Sequence, residues 1–280
     1  MSQFEVRNLI EPFGAVVTNL DLQQPFDDET RRVLRQTFFD RGALVFRGRE
    51  IDSASQDRLC RMLVDEDEDQ AGARDPMYVS NTEKGANAPY GRLLFHADMM
   101  WHPKPFQVLS LYAAKVEPGS ATTSLASGTY AWETLPDDLR ARVEDLQALH
   151  VTGTVNSRGD GDLLRSDREH EESTVKPIKY IHPRTGKPIL YVSQQTTREI
   201  VGFKPEESEA LLQELFAHLY APAAVYEHTW QDGDLLVFDN VALQHARSNV
   251  ELNGPKRTLR KVIAPIPRVR MQTPTFEKVG

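Results

Sequence analysis

Apolar residues near the start of the chain are spaced in a way that predicts the order strand, helix, strand, helix. Residues 15–20 and 43–47 are short apolar runs, which are typical of buried strands. Residues 28–39 place apolar side chains at helical spacing between those runs, and residues 53–64 predict a second helix. The acidic run at 65–69 that follows is interpreted as a solvated helix end.

Farther along the chain, short apolar stretches separated by Gly, Pro and Asn predict strands, and two longer segments carry helical spacing. The predicted strands lie at 92–95, 108–113, 189–193, 225–230 and 235–238, and the predicted helices at 136–149 and 206–220. Strands and helices do not alternate in regular βαβ order, which favours an antiparallel sheet system over a doubly wound parallel one. The expected class is therefore mixed α+β.

Residues 152–174 form a polar segment rich in Arg, Asp and Glu. Connections of this length without regular structure are uncommon inside a compact domain and are usually functional or mobile. We therefore expect a mobile loop or a lid at 152–174. The chain has 280 residues, a length that mixed and all-β folds approach as one unit, so residues 1–280 are expected to form a single domain.

Charge and composition exclude several classes of partner and site. The net charge is −8 and the pI is near 5.5, so no basic surface for nucleic acid is expected. The single cysteine, Cys60, excludes an intrachain disulfide and a thiolate-rich zinc site. No apolar run approaches the roughly 18 residues of a membrane span, and the N-terminal MSQFEVRNL lacks the order of a signal peptide. We expect no membrane partner and, by default, a cytoplasmic location; a homo-oligomer is left open.

His96 and Asp98 form an H-x-D pair directly after the predicted strand at 92–95. Side chains two apart on an extended backbone point to the same side, so one imidazole and one carboxylate could meet a single ion. A pair of this kind also arises by chance in a chain with 8 His, and alone it is a weak indication.

A second histidine follows a segment that runs from Trp230 to Asn240, WQDGDLLVFDN, with His245 at its exit. The segment predicts a tight turn, an apolar strand and a polar pair. If a neighbouring strand places His245 beside His96 and Asp98, the three residues form a set of two histidines and one carboxylate. Such a facial triad is typical of non-haem Fe(II) oxygenases, although zinc can use the same ligand types, as in hydrolases.

Four basic residues follow on the next predicted strand: Lys256, Arg257, Arg260 and Lys261. A guanidinium can hold a carboxylate through two parallel hydrogen bonds, as is needed to anchor a dicarboxylate cosubstrate whose other end chelates a metal. A solvated basic strand is the alternative for any one of the four. By strand alternation, Arg260 should point to a different face from Lys261.

Taken together, these motifs resemble the TauD/TfdA family, the taurine and 2,4-dichlorophenoxyacetate dioxygenases, over nearly the whole chain. The resemblance rests on GALVFRG at 42–48, the H-x-D, GTYAWETLP at 128–136, TTR at 196–198, and the W-x-x-G-D-x-x-x-x-D-N-x-x-x-x-H block. It implies a double-stranded β-helix, a cupin-like jelly roll, with flanking helices. It also implies a dioxygenase that uses Fe(II), 2-oxoglutarate and O2 and releases succinate and CO2.

The resemblance also implies roles for particular residues. His96, Asp98 and His245 match the iron ligands of the family. Arg257 matches the arginine that pairs with the distal carboxylate of 2-oxoglutarate, and Thr123 matches the threonine that hydrogen-bonds the same carboxylate. Asp98 argues against a halogenase, because halogenases lack the carboxylate ligand.

Two departures from the family pattern bear on the substrate. Lys261 stands where the family often has an arginine for the acidic group of the substrate, and a lysine keeps the charge but loses the bidentate fork. Arg92 stands where the taurine enzyme has Asn, so taurine itself is not the expected substrate. The residues expected to bind the substrate are Asn81, Arg92, Met99, Trp101, Arg198 and Lys261.

The predicted function is oxidation of a small anionic organic substrate: a carboxylate, a sulfonate, a sulfate ester or an aryloxy acid. Two alternatives stay open. One is a cupin-like metal-binding protein without oxygenase activity, since one fold hosts many functions. The other is a zinc hydrolase, which would need a general base near the metal.

Overall fold

Two sheets and several helices dominate the part of the chain that the computed structural model describes, residues 4–73, 75–153, 166–167, 172–251, 253–265 and 275–276. The helices are α1 (Asp28–Arg41), α2 (Ser53–Leu63), α3 (Gly128–Glu133), α4 (Asp137–Val143) and α5 (Pro205–Leu219). The first nine strands are β1 (Glu5–Asn8), β2 (Ala15–Thr18), β3 (Ala43–Phe46), β4 (Met77–Ser80), β5 (Gly91–His96), β6 (Val108–Val116), β7 (Thr123–Ser127), β8 (Gln147–Val151) and β9 (Ser166–Asp167). The others are β10 (Ser173–Pro177), β11 (Lys179–Ile181), β12 (Pro188–Leu190), β13 (Thr197–Ile200), β14 (Val225–His228), β15 (Leu235–Asp239), β16 (Leu243–Val250), β17 (Arg257–Ala264) and β18 (Thr275–Phe276).

The larger sheet has seven strands in the order β1-β2-β3-β15-β6-β17-β4, and the smaller has four in the order β14-β7-β16-β5. Three minor groups are β10-β8-β13, β11-β12 and β18-β9. Within the described part of the chain, β2 and β3 are the one pair of named strands that runs parallel. The predicted mixed class with mainly antiparallel pairing is confirmed.

The larger sheet is buried on both faces, as its central strand β15 illustrates. Leu235 and Val237 belong to an apolar cluster with residues of α1 and α2, whereas Leu236 and Phe238 belong to a second cluster with Leu125 of β7. Because successive side chains of a strand point to opposite faces, a strand buried on both faces must be a continuous apolar run. The smaller sheet therefore packs on the face opposite the two helices.

Helices α1 and α2 both begin at an aspartate cap. The carboxylate of Asp27 accepts from the backbone N–H of Thr30 at 2.8 Å, and that of Asp52 accepts from the N–H of Ser55 at 2.7 Å. Helix α1 ends at Gly42, whose φ of 73° lies in the left-handed region that glycine adopts at little cost. Strand β3 starts at the next residue, which matches the predicted order of elements.

The helix predicted over 136–149 is wrong in its second half, because α4 ends at Val143 and β8 begins at Gln147. Leu146, Ala148 and His150 also alternate with the period of a strand. Pairing of β8 with β10 on one side and β13 on the other decides between the two periods. The apolar side of this small sheet packs in one cluster with α3, α4 and α5.

Most of the segment predicted to be a loop or lid, 152–174, lies outside the described residues, so that interpretation stays a prediction. At its ends, the N–H of Thr152 donates to the carbonyl of Glu172 at 2.9 Å, next to the β8–β10 pair. A search for helices of membrane-spanning length and hydropathy, limited to the described residues, returns none.

Candidate active site

His96 is the last residue of β5, and Asp98 lies in the turn that follows. The side chain of Asn240 holds that turn by binding both backbone groups of Asp98. The N–H of Asp98 donates to Asn240 Oδ1 at 2.8 Å, and Asn240 Nδ2 donates to the carbonyl of Asp98 at 2.9 Å. Ala97 points to the other side and packs near Tyr191. The alternation expected of the H-x-D pair is thus present, and its carboxylate is held through the backbone.

Strand β16 brings His245 beside this pair, opposite His96 in the register between β16 and β5. The two imidazole ring centroids lie 4.2 Å apart, and both side chains are buried. One ligand atom from each of His96, Asp98 and His245 lies within 4.8 Å of the others. The structure therefore brings together the three residues that the sequence grouped.

The protonation of this triad suits a divalent cation. His96 Nδ1 lies 2.7 Å from the carbonyl of Leu94, which can only accept, so Nδ1 carries a hydrogen and Nε2 is the ring nitrogen left for a metal. Burial, followed by the neighbouring His96, lowers the pKa of His245 well below its usual value. Burial opposes ionisation of Asp98, but the charge of the neighbouring Lys261 ammonium holds the pKa of Asp98 well below the usual range. Two imidazoles and one carboxylate with coordination positions left open fit Fe(II).

Strand β17 carries its basic residues on two faces. The ammonium of Lys261 donates to Asp98 Oδ2, and Arg257 points to the same interior. Arg260 points away, donating to Gln56 Oε1 at 2.7 Å on the α2 side of the sheet. The predicted difference in direction between Arg260 and Lys261 is confirmed.

Arg257 is a buried cation with few partners. Its side chain is 3% exposed, its Nη2 donates to Thr123 Oγ1 at 3.1 Å, and its Nε lacks a partner among the described residues. Burial, and then the charge of Arg247, lower the pKa of Arg257 well below the ordinary value for arginine. A buried charge is costly unless it is paired, so this guanidinium indicates an anion-binding site.

Arg247 is a second buried cation next to this candidate anion-binding site. It lies on β16, directly opposite Thr123 of β7 in the strand pairing. Within the described residues, its guanidinium donates to backbone carbonyls alone, at 2.5 Å to Ala88, 2.7 Å to Tyr90 and 2.6 Å to Gly91. Its Nε lacks a partner among the described residues, and the carbonyls do not neutralise its charge. The positive potential around Thr123 is therefore larger than Arg257 alone would produce.

The other residues predicted to bind substrate lie in different surroundings. The Asn81 side chain accepts from the N–H of Arg257 at 2.9 Å and donates to the carbonyl of Pro255 at 3.0 Å, so it holds the start of β17. Met99 is buried in the cluster between the two main sheets, with Trp101 packed against it. Arg92 is half-buried on β5, four residues before His96, while Arg198 is exposed on β13, outside the two main sheets.

Two residues with a part in this geometry were overlooked by the sequence interpretation. Asn240 positions Asp98, and the indole N–H of Trp230 donates to Thr123 Oγ1 at 3.1 Å. Both belong to the block that supported the family resemblance, so the motif contained them without revealing their contacts.

Comparison with known proteins identifies the family. The model of the family described as "Taurine catabolism dioxygenase TauD, TfdA family" matches residues 5–263. The chain belongs to the TauD/TfdA family. A family relative, the (S)-phenoxypropionate/alpha-ketoglutarate-dioxygenase of Sphingobium herbicidovorans, is 28% identical over 256 residues, which cover 86% of this chain and 88% of the relative. The alpha-ketoglutarate-dependent 2,4-dichlorophenoxyacetate dioxygenase of Cupriavidus pinatubonensis is 25% identical over 279 residues, covering 91% and 96%.

A solved structure has a fold similar to that of this chain. The crystal structure of AAD-2 in complex with Mn(II) and N-oxalylglycine aligns with a TM-score of 0.76 and 25% identity, covering 95% of this chain and 100% of that one. The predicted family and reaction class are confirmed: the chain is a dioxygenase that depends on Fe(II), 2-oxoglutarate (alpha-ketoglutarate) and O2. These comparisons favour that class over a metal-binding cupin without oxygenase activity and over a zinc hydrolase.

Proposed function

We propose that this dioxygenase oxidises a small organic anion at an iron held by His96, Asp98 and His245. The observation that carries the proposal is the buried triad on the same interior as the guanidinium of Arg257, with which no carboxylate among the described residues pairs. When bound, Fe(II) with 2-oxoglutarate supplies the activation of O2, and the cosubstrate leaves as succinate and CO2. The chain itself supplies ligands, an anchor for the cosubstrate and a water-poor enclosure.

Arg257 and Thr123 anchor the distal carboxylate of 2-oxoglutarate in this proposal. An arginine presents N–H groups in a planar fork that matches a carboxylate, and most of the Arg257 fork is unused among the described residues. Because the fork is buried, its attraction for an anion is screened less than at a surface. The carboxylate would at the same time remove the cost of an unpaired buried charge.

The apolar cluster between the two main sheets limits water around the ligands. Phe238 lies with its ring centroid 5.1 Å from that of His245, and Met99 is buried in the same cluster. Exclusion of water strengthens the interactions of the charged groups and protects reactive species from side reactions. We propose that the two sheets form the halves of a double-stranded β-helix around this interior.

Lys261 is the residue we assign to the acidic group of the substrate. Its ammonium already lies beside Asp98, and its side chain is 16% exposed, so it borders the triad from the accessible side. Related dioxygenases act on phenoxypropionate and 2,4-dichlorophenoxyacetate. We propose an aryloxy acid or another small carboxylate, sulfonate or sulfate ester as the substrate, with half-buried Arg92, on the strand that ends at His96, as a second cation for it.

Succinate formation tests this function. The protein loaded with Fe(II) would be given labelled 2-oxoglutarate and a panel of carboxylates, sulfonates, sulfate esters and aryloxy acids. We expect at least one class to stimulate succinate release, and Asp98→Ala to abolish that release while the protein still unfolds cooperatively. Product formation that does not require 2-oxoglutarate would contradict the proposal and support a hydrolase.

A further inference from the structure

The hydroxyl of Thr123 has both of its acceptor positions filled by groups that can only donate. Trp230 Nε1 and Arg257 Nη2 each lie 3.1 Å from Thr123 Oγ1. A threonine hydroxyl has two lone pairs and one hydrogen, whereas an indole N–H and a guanidinium have no acceptor at all. The Thr123 hydrogen therefore cannot be given to either neighbour.

That hydrogen also has no other acceptor among the described residues, although Thr123 is only 2% exposed. A buried donor without an acceptor is unfavourable, so the arrangement is complete only when a ligand brings an acceptor. We propose that Trp230 is a positioning residue which, with Arg257, fixes the Thr123 hydroxyl as a donor to the carboxylate of the cosubstrate. This inference rests on the proposed function, which places that carboxylate at Arg257.

Trp230 is held firmly enough for this role. It is 5% exposed, and the His228 ring lies against it in an edge-on contact with centroids 4.4 Å apart. His228 is itself bonded on both ring nitrogens, with Nδ1 3.0 Å from Tyr226 Oη and Nε2 3.2 Å from Asp234 Oδ2. The direction of the indole N–H is therefore set by packing before any ligand arrives, and no reorientation is needed on binding.

A hydroxyl fixed as a donor selects among ligands. It favours an ionised carboxylate, which only accepts, and disfavours an amide nitrogen or other donor placed at the same point. Without the indole N–H, the threonine hydroxyl could turn its hydrogen toward empty space and present a lone pair to the anion. Trp230 thus acts on cosubstrate affinity through Thr123 rather than by touching the cosubstrate.

Binding of N-oxalylglycine with Mn(II) in place of Fe(II), measured by calorimetry, tests the inference without turnover. Loss of one orienting hydrogen bond predicts that Trp230→Phe weakens binding by about three- to tenfold. Thr123→Val should weaken it by about tenfold, whereas Thr123→Ser, which keeps the hydroxyl, should stay within about twofold of the wild type. In the Thr123→Val background, Trp230→Phe should have almost no further effect, because the group it orients is gone. Trp132→Phe is the matched control, since Trp132 is equally buried but lies in the α3–α5 cluster.

The possible outcomes separate the inference from the proposed function. If Trp230→Phe weakens binding by the same factor with and without Thr123, the indole acts by packing alone and the inference is overturned. If wild-type protein with Mn(II) does not bind N-oxalylglycine, the proposed function fails. If Arg257→Gln abolishes binding and Trp230→Phe leaves it unchanged, the function stands and the inference falls.

A second measurement avoids any loss of folding in Trp230→Phe. The chain has three tryptophans, so a ¹⁵N-tryptophan spectrum contains three indole N–H signals, which single Trp→Phe variants assign. Thr123→Val should move the Trp230 indole signal, because it removes the acceptor, and should leave those of Trp101 and Trp132 in place. A Trp230 signal that does not respond to Thr123→Val would overturn the inference.

Discussion

At the scale of single residues, Asn240 connects Asp98 to the rest of the fold. Its side chain accepts from the N–H of Asp98 and donates to the carbonyls of Asp98 and Phe106, at 2.8, 2.9 and 3.2 Å. We expect Asn240→Ala to weaken Mn(II) binding by about ten- to a hundredfold, which is typical when the support of a ligand is removed. Metal titration checks this, with the exposed Asn249→Ala of β16 as the control.

An Asn240→Ala protein that folds and binds Mn(II) with wild-type affinity would show that the turn holds Asp98 without this side chain. The positions of the three ligands would then be set by the strands that carry them.

Arg257 and Arg260 differ in direction, so their loss should have different effects. Loss of charge-assisted hydrogen bonds costs roughly 1.5–3 kcal/mol, so Arg257→Gln should weaken 2-oxoglutarate binding by about tenfold or more. Arg260→Gln, which breaks contacts to Gln56 and to the carbonyl of Ile51, should lower stability and leave that affinity nearly unchanged. Lys261→Met should act mainly on the KM of the prime substrate. A larger loss of 2-oxoglutarate affinity in Arg260→Gln than in Arg257→Gln would contradict our assignment of β17.

At the scale of secondary-structure elements, the end of α1 is tied to the strand that carries His245. Gly42 has a φ of 73°, its carbonyl accepts from the N–H of Asp239 at 2.8 Å, and an added Cβ would lie 2.3 Å from Leu243 Cδ1. Gly48 also has a positive φ, 57°, but an added Cβ there meets nothing within 4 Å. Close packing at Gly42 therefore adds a steric cost that Gly48 does not have.

We expect Gly48→Ala to lower the free energy of unfolding by about 1–2 kcal/mol through backbone strain alone. Gly42→Ala should lower it by a further 1–3 kcal/mol or so because of overpacking against Leu243. Urea denaturation of the two variants gives both values. Equal losses would mean that Leu243 moves aside without cost.

The sequence predicted these elements well where one period dominates. Strand β15 is a continuous apolar run, and α1 has an aspartate cap and a glycine end, so local chemistry determines both. The prediction failed at 146–149, where apolar residues fit a helix and a strand equally and the choice depends on partners β10 and β13. The triad could be grouped from motifs, but Asn240 and Trp230 contact residues 142 and 107 positions away, and no local pattern encodes such contacts.

At the scale of the whole molecule, buried neutral histidine makes stability depend on pH. His150 is fully buried, and burial, then the charge of Lys176, lowers its pKa to about 3. In the unfolded chain its pKa returns to about 6.5, so between these values the unfolded state binds a proton that the folded state does not. The contribution of His150 to the free energy of unfolding is fully present above about pH 6.5. It is lost as the pH falls toward 3, by up to about 1.4 kcal/mol per pH unit.

We therefore expect His150→Phe to unfold with a shallower dependence on pH between about 6.5 and 4 than the wild type. Denaturant melts at several pH values measure the slope. Tyr191→Phe is the control, because its ring packs edge-on against His150 at 5.6 Å and the change leaves the histidine in place. The same slope in His150→Phe as in the wild type would assign the acid sensitivity to other groups.

The two buried cations beside Thr123 also link metabolism to the lifetime of the protein. Among the described residues, no carboxylate pairs with Arg247 or Arg257, so both leave positive charge inside the fold that a dicarboxylate can compensate. A ligand that binds only the folded state at about a hundred times its Kd stabilises that state by about 2.7 kcal/mol, so 2-oxoglutarate should raise the Tm of the wild type by more than that of Arg257→Gln. Because proteases act on the unfolded fraction, a cell poor in 2-oxoglutarate should degrade this enzyme faster. Pulse-chase experiments at two intracellular concentrations of 2-oxoglutarate would measure the difference. Abundance of the enzyme would then follow abundance of its cosubstrate without any dedicated regulator.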